Sequence, residues 1–170
     1  MARIQTCKLP ADALLCRHER EGAFTDCYCT DLAGAVTHVE FVEAFYCTAV
    51  FKLERLLLAL FVARPSTDAQ ARELADGRRD AFAAWHVEAR ATDQILLCDF
   101  QGSTRSWLMS STAANGETTR LYFGSAVVPR VDRRSGGLAM SGVFRALLGF
   151  HKLYSSLLLK AAVVRLMRSH

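Results

Sequence analysis

The longest periodic stretch of the chain, Ser141–Met167, reads SGVFRALLGFHKLYSSLLLKAAVVRLM and is also the most apolar. At about 100° per residue, Phe144, Leu147, Leu148, His151, Ser155, Leu158, Ala162 and Leu166 fall on one stripe. Ala146, Phe150, Leu153, Leu157 and Val164 form a second stripe, and Arg145, Lys152, Ser156 and Lys160 mark a wet face. A helix apolar around most of its circumference has to be covered on two sides. The rest of the chain must therefore supply a broad apolar surface for it.

That surface is expected from the residues before it, where the hydrophobic period is two. Ala84–Arg90 alternates Trp85, Val87 and Ala89 against His86, Glu88 and Arg90. Gln94–Phe100 is a largely apolar run. Thr104–Ser111 places Trp107 and Met109 on one side and Leu108 on the other; Thr119–Val128 sets Tyr122, Gly124 and Ala126 against Leu121, Phe123 and Val127. Gly102 and Asn115-Gly116 fall between these runs, as hairpin turns do. A turn at Asn115-Gly116 sets Trp107 opposite Gly124, where an indole covers the bare glycine.

The first half begins with a strand over Ala23–Thr30, with Phe24, Asp26, Tyr28 and Thr30 facing one way and Thr25, Cys27 and Cys29 the other. Residues up to about Glu21 read as an extended lead-in. Thr37 and Glu40 have capping-box spacing, flanked by Val36 and Phe41 as a hydrophobic staple, and start a helix over at least Val39–Tyr46. A second apolar helical run, Val50–Ala63, ends before Pro65. Thr67 and Gln70 repeat the capping box for a short helix, Asp68–Ala75, closed by Gly77. Pro129–Ala139 reads as a Gly-rich basic loop. The sum is an α+β fold: a curved antiparallel sheet packed on a long C-terminal helix, with two or three helices inserted after the first strand. With no repeat or linker visible, residues 1–170 are expected to form a single domain.

Composition narrows the function classes. Hydrophobic residues make up 51% of the chain, which argues for a large core, an apolar cavity or a dimer interface and against disorder. The net charge of +4 comes without a basic strip interleaved with aromatics, so no nucleic-acid partner is expected. The six cysteines, Cys7, Cys16, Cys27, Cys29, Cys47 and Cys98, include no C-x-x-C pair and no zinc-like spacing with histidine; they read as small buried hydrophobes. No metal and no cofactor is expected. The N-terminus carries no long apolar run, and Leu56–Ala63 is too short to span a bilayer, so no transmembrane segment and a cytoplasmic, reducing setting are expected.

The element order resembles the START-like (SRPBCC, Bet v 1-like) superfamily, in which a curved antiparallel sheet grips a long C-terminal helix. More narrowly, Trp85–Arg90, Leu96-Leu97-Cys98-Asp99, Arg105-Ser106-Trp107-Leu108, Leu121–Val128 and Phe150-His151-Lys152-Leu153-Tyr154 resemble the matching segments of a bacterial family of unknown function within it. Resemblance implies binding of a small apolar or amphipathic ligand between sheet and helix. Some members of the superfamily are cyclases, hydrolases or dehydratases, and fold alone does not choose among them. About five strands are legible, fewer than the superfamily's full sheet.

The candidate residues follow. His151 is the sharpest: an imidazole on an apolar stripe serves as a general acid or base or anchors a ligand, or else is a core histidine satisfied by Ser155, Tyr154 or a backbone carbonyl. Tyr154 and Ser155 complete the polar island, and Trp85, Trp107, Tyr122 and Phe123 are candidates to line a cavity. Asp99 and Arg105 flank a hairpin as a surface ion pair or a polar pocket mouth. Glu88 and Arg120 lie mid-strand and are expected to be solvated. Three functions therefore stay open: ligand binding; an enzyme using His151 with Tyr154 or Asp99; and a homodimer or membrane-surface contact through Phe150, Leu153, Leu157 and Val164.

Overall fold

The chain was analysed as a computed structural model that describes residues 3–52, 66–128 and 142–169, with side chains of the last helix described from 154 to 168. Its strands are β1 (Gln5–Thr6), β2 (Phe24–Ala33), β3 (Ala81–Phe82), β4 (Trp85–Ala91), β5 (Gln94–Asp99), β6 (Thr104–Thr112) and β7 (Thr118–Val127). The helices are α1 (Cys16–Arg20), α2 (His38–Tyr46), α3 (Asp68–Ala75) and α4 (Gly142–Ser169), and residues 49–52 are also helical. All seven strands join one antiparallel sheet in the order β1-β2-β7-β6-β5-β4-β3. The protein is thus α+β, with α2 and α3 following the first long strand and the 28-residue α4 closing the chain. The two strands beyond the five expected, β1 and β3, are two residues each, too short to leave a period in the sequence.

Both expected capping boxes form. Thr37 Oγ1 accepts the Glu40 amide at 3.2 Å while Glu40 Oε2 accepts the Thr37 amide at 2.8 Å. Thr67 and Gln70 exchange the same pair at 3.2 and 3.0 Å. Gly77, at φ +83°, follows the end of α3 in a left-handed conformation that side chains disfavour. The expected run Val50–Ala63 and the loop Pro129–Ala139 lie for the most part or wholly outside the described residues.

The sheet is covered on both faces. On one, Tyr28, Leu32, Ile95, Leu97, Leu108, Leu121 and Phe123 pack against Phe41, Phe45 and Tyr46 of α2, Leu74 of α3 and Leu158, Leu159, Ala162 and Leu166 of α4. On the other, Cys27, Leu96, Trp107, Met109 and Ala126 pack against Ala13 and Leu15, with Leu9, Leu14 and Cys16 at the margin. Residues 7–20 are therefore a second layer and not an extended lead-in.

Three features hold that layer down. Gln94, 4% exposed, bonds through both ends of its amide: Oε1 accepts from the Leu14 amide and from Trp107 Nε1, both at 2.9 Å, and Nε2 donates to the Asp12 carbonyl at 3.1 Å. Trp107 lies opposite Gly124, as the hairpin spacing predicts, and a Cβ on Gly124 would stand 2.9 Å from Trp107 Cε3 and 3.0 Å from Leu15 Cδ2. The third is an ion cluster around Glu88.

Glu88 corrects an expectation. A register shift between Val87 and Ala89 breaks the simple alternation of β4, so that Val87 packs toward the helices and Ala89 toward the N-terminal layer. Glu88, expected to be solvated, has a side chain only 14% exposed beneath α1. It pairs with Arg105, Arg17 and His18, whose Nε2 lies 2.7 Å from Glu88 Oε1. Arg17 Nε also lies 3.3 Å from His18 Nε2, so the imidazole sits between the guanidinium and the carboxylate. Burial first, then the Arg105 and Arg17 charges, hold the His18 pKa below 6.5. Asp99 and Arg105 do not pair as expected: Asp99 Oδ1 instead accepts the Ser103 and Thr104 amides at 2.6 and 3.1 Å across the turn. Arg120 is exposed as expected, in a bidentate pair with Asp31 at 2.7 and 2.8 Å.

Candidate functional site

The helix-facing side of the sheet is mostly apolar and carries one cross-strand polar row. Register sets Asp26 of β2 beside Ser125 of β7, and Ser125 beside Ser106 of β6. All three share the helix-facing parity of Tyr28, Phe123 and Leu108. Ser106 and Ser125 are 8% and 5% exposed. Asp26 Oδ1 accepts from the Ser125 amide at 3.2 Å and from its hydroxyl at 2.5 Å. Asp26 Oδ2 accepts the Tyr28 hydroxyl at 3.4 Å, and Tyr46 of α2 stands with its hydroxyl 3.4 Å from Ser106 Oγ. Burial first, and then the Asp26 charge, push the Tyr28 phenol up to about 12, so it stays a donor at neutral pH.

The walls beside this row are aromatic. Phe45 and Phe123 have ring centroids 4.8 Å apart, Tyr46 and Phe82 5.6 Å, and Phe51 stacks on Phe82 at 6.1 Å. Two further hydroxyls on buried positions, Thr30 of β2 and Ser155 of α4, have no hydrogen-bond partner and are 3% and 0% exposed. A groove of about 420 Å³ lies at the sheet edge, lined by Ile4, Thr6, Tyr28, Ser156, Leu157 and Lys160, with Tyr28 as the residue it shares with the row.

The residues expected from sequence separate into three groups. Phe123 is buried on the helix-facing side, Trp85 is half-buried against the same core, Tyr154 packs beside it, and Ser155 is fully buried. Trp107 and Tyr122 lie on the opposite face, their rings 6.1 Å apart under the N-terminal layer, so they cannot line a cavity shared with α4. Their alternation with Leu108 and Phe123 already set them on the other face; the missing fact was what covered that face. The side chain of His151 lies outside the described residues, as do those of Phe150 and Leu153. Leu157 and Val164 of the second stripe are 45% and 40% exposed.

Asp26, Tyr28, Tyr46, Ser106 and Ser125 did not stand out in the sequence. The available signal was parity: each polar strand residue falls two positions from a large core residue, on the side that must be dry. Among the described residues no three His, Cys, Asp or Glu side chains are placed to hold a metal ion, and no helix is long and apolar enough to cross a membrane.

The fold and this row define an α+β protein with a polar strip on the helix-facing side of its sheet. No protein-family model and no curated protein matches the chain. Among solved structures it is similar to CalU16 from Micromonospora echinospora at 12% identity, over 97% of this chain and 92% of that one, with a TM-score of 0.31. Superposition at that level carries no argument about function.

Proposed function

We propose that the protein is a START-like member that binds a small amphipathic ligand between its sheet and α4. The ligand's polar end meets Tyr28, Asp26, Ser125, Ser106 and Tyr46, and its apolar body lies among the aromatic walls. The observation that carries this reading is the polar row itself. Ser125 and Ser106 find partners in Asp26 and Tyr46, and a hydroxyl left unsatisfied on this face costs about 1–3 kcal/mol. A core selected for stability alone has no need of Ser106 and Ser125 at neighbouring inward positions. The unpartnered hydroxyls of Thr30 and Ser155 add support, because a bound molecule offers them partners.

Native mass spectrometry of the purified chain, followed by organic extraction, tests for a retained molecule. Titration with Nile red tests the site directly. Tyr46→Phe and Ser106→Ala remove hydroxyls without adding volume, and each is expected to weaken binding about fivefold, the worth of one neutral hydrogen bond. A chain that carries no molecule and takes up no dye overturns the reading, as does dye binding unmoved by both variants.

A further inference from the structure

Three of the six cysteines converge at the edge of the sheet, on the face away from α4. Cys27 and Cys29 sit two apart on β2 with side chains on the same side. Cys7, one residue past β1, continues the antiparallel pairing: β1 sets Gln5 opposite Cys29 and Thr6 opposite Tyr28, and the Cys7 amide donates to the Cys27 carbonyl at 3.0 Å. The sulfur atoms of Cys7 and Cys27 stand 3.4 Å apart, in van der Waals contact. Cys27 is 3% exposed, whereas Cys7 is partly open. Both line a groove of about 480 Å³ at the free edge of β2, along with Lys8, Phe24 and Thr25.

We propose that Cys7 and Cys27 are a thiol–disulfide site that reacts with low-molecular-mass disulfides entering this groove. Cys7, the partly exposed thiol, attacks as thiolate one sulfur of a disulfide RSSR. The S–S bond breaks, a Cys7–S–S–R mixed disulfide forms, and RS⁻ leaves and takes up the proton that Cys7 lost. The Cys27 thiol then loses its proton and attacks the Cys7 sulfur. The Cys7–Cys27 bond forms and the second RS⁻ leaves as RSH. Two protein thiols are oxidised by two electrons and one RSSR is reduced to two RSH.

The order of attack follows from access and burial. Desolvation raises the Cys27 thiol strongly and pushes Cys29 up to about 11, so neither is an effective first nucleophile at neutral pH. Once Cys7 carries the mixed disulfide, contact with Cys27 makes the second step intramolecular, with the high effective concentration that geometry gives. The product ties the N-terminal layer to β2 at its first strand. The site lies on the opposite face from the proposed ligand row and stands whether or not that reading holds.

The test is incubation of the intact folded chain with glutathione disulfide. Free thiols are then blocked with iodoacetamide, and non-reduced peptides are mapped. The expected result is a peptide linked through Cys7 and Cys27 and the loss of two hydrogen atoms from the intact mass. Cys7→Ser is expected to abolish the link, Cys29→Ser to leave it, and Cys27→Ser to trap the glutathione adduct on Cys7. The wild-type mapping decides the matter even where a variant fails to fold. A native chain whose Cys7 stays fully alkylatable overturns the proposal, and so does a product linked mainly through Cys7 and Cys29.

Discussion

Replacing Glu88 with alanine should be among the most damaging single changes in the N-terminal layer. The carboxylate is 14% exposed and faces an Arg105 side chain 12% exposed and a His18 side chain 7% exposed. Without it the Arg105 guanidinium keeps only the Gly102 and Thr104 carbonyls, at 3.0 and 3.3 Å, as neutral partners. Breaking a buried pair from one side costs about 3–5 kcal/mol. The lost His18 contact falls within that range and is not an independent addition. Arg17 contributes little, since its side chain is 47% exposed and regains water. For a chain of this size each kcal/mol moves the midpoint by about 2–4 °C, so Glu88→Ala should lower Tm by roughly 10 °C. Urea unfolding should report the same loss in ΔG at unchanged m-value. Arg120→Ala is the control: it breaks a bidentate pair whose partners are 51% and 49% exposed, and should cost no more than about 1 kcal/mol. If Glu88→Ala and Arg120→Ala cost the same, burial of the cluster is not what gives it its weight, and the account of the N-terminal layer fails.

Two further outcomes follow from the same structure. Gly124→Ala places a methyl 2.9 Å from the Trp107 ring and 3.1 Å from the Asp26 carbonyl, and since backbone cannot yield as a side-chain tip can, it should destabilise by about 1–3 kcal/mol in a urea titration. His38 is held neutral, its pKa lowered to about 4 by burial and then by the Arg90 charge, so the unfolded chain binds the extra proton below pH 6.5. Its contribution is therefore intact above pH 6.5 and is lost as pH falls toward 4, by at most about 3 kcal/mol, and His38→Gln should flatten the stability profile in that window by calorimetry.

Much of the helix-facing architecture was legible from local rules. Thr37 and Thr67 mark their helices because a capping hydroxyl and its partner are three residues apart, a relation no distant contact alters. Trp107 is found opposite Gly124 because hairpin spacing fixes register. The N-terminal layer was not legible. Leu9, Ala13, Leu14 and Leu15 follow no single period, because they pack as a turn-rich strap whose partners lie on distant strands. Missing that layer misplaced Glu88: a charged residue in mid-strand looks solvated until something covers its face. It also left Trp107 and Tyr122 free to be read as cavity lining.

The sequence alone determined the types of the long elements, the antiparallel hairpins and the last helix, whose two apolar stripes demanded cover. The observed helix, Gly142–Ser169, lies within two residues of the span read from its periodicity at either end. Tertiary structure alone decided which residues share a site. Asp26, Ser125 and Ser106 come from three strands separated by up to 99 positions along the chain, and only register makes them neighbours. The same holds for Cys7 beside Cys27 and for Glu88 beneath His18. Periodicity reports which way a side chain points; what it meets there depends on the partner strand and the layer that closes over it.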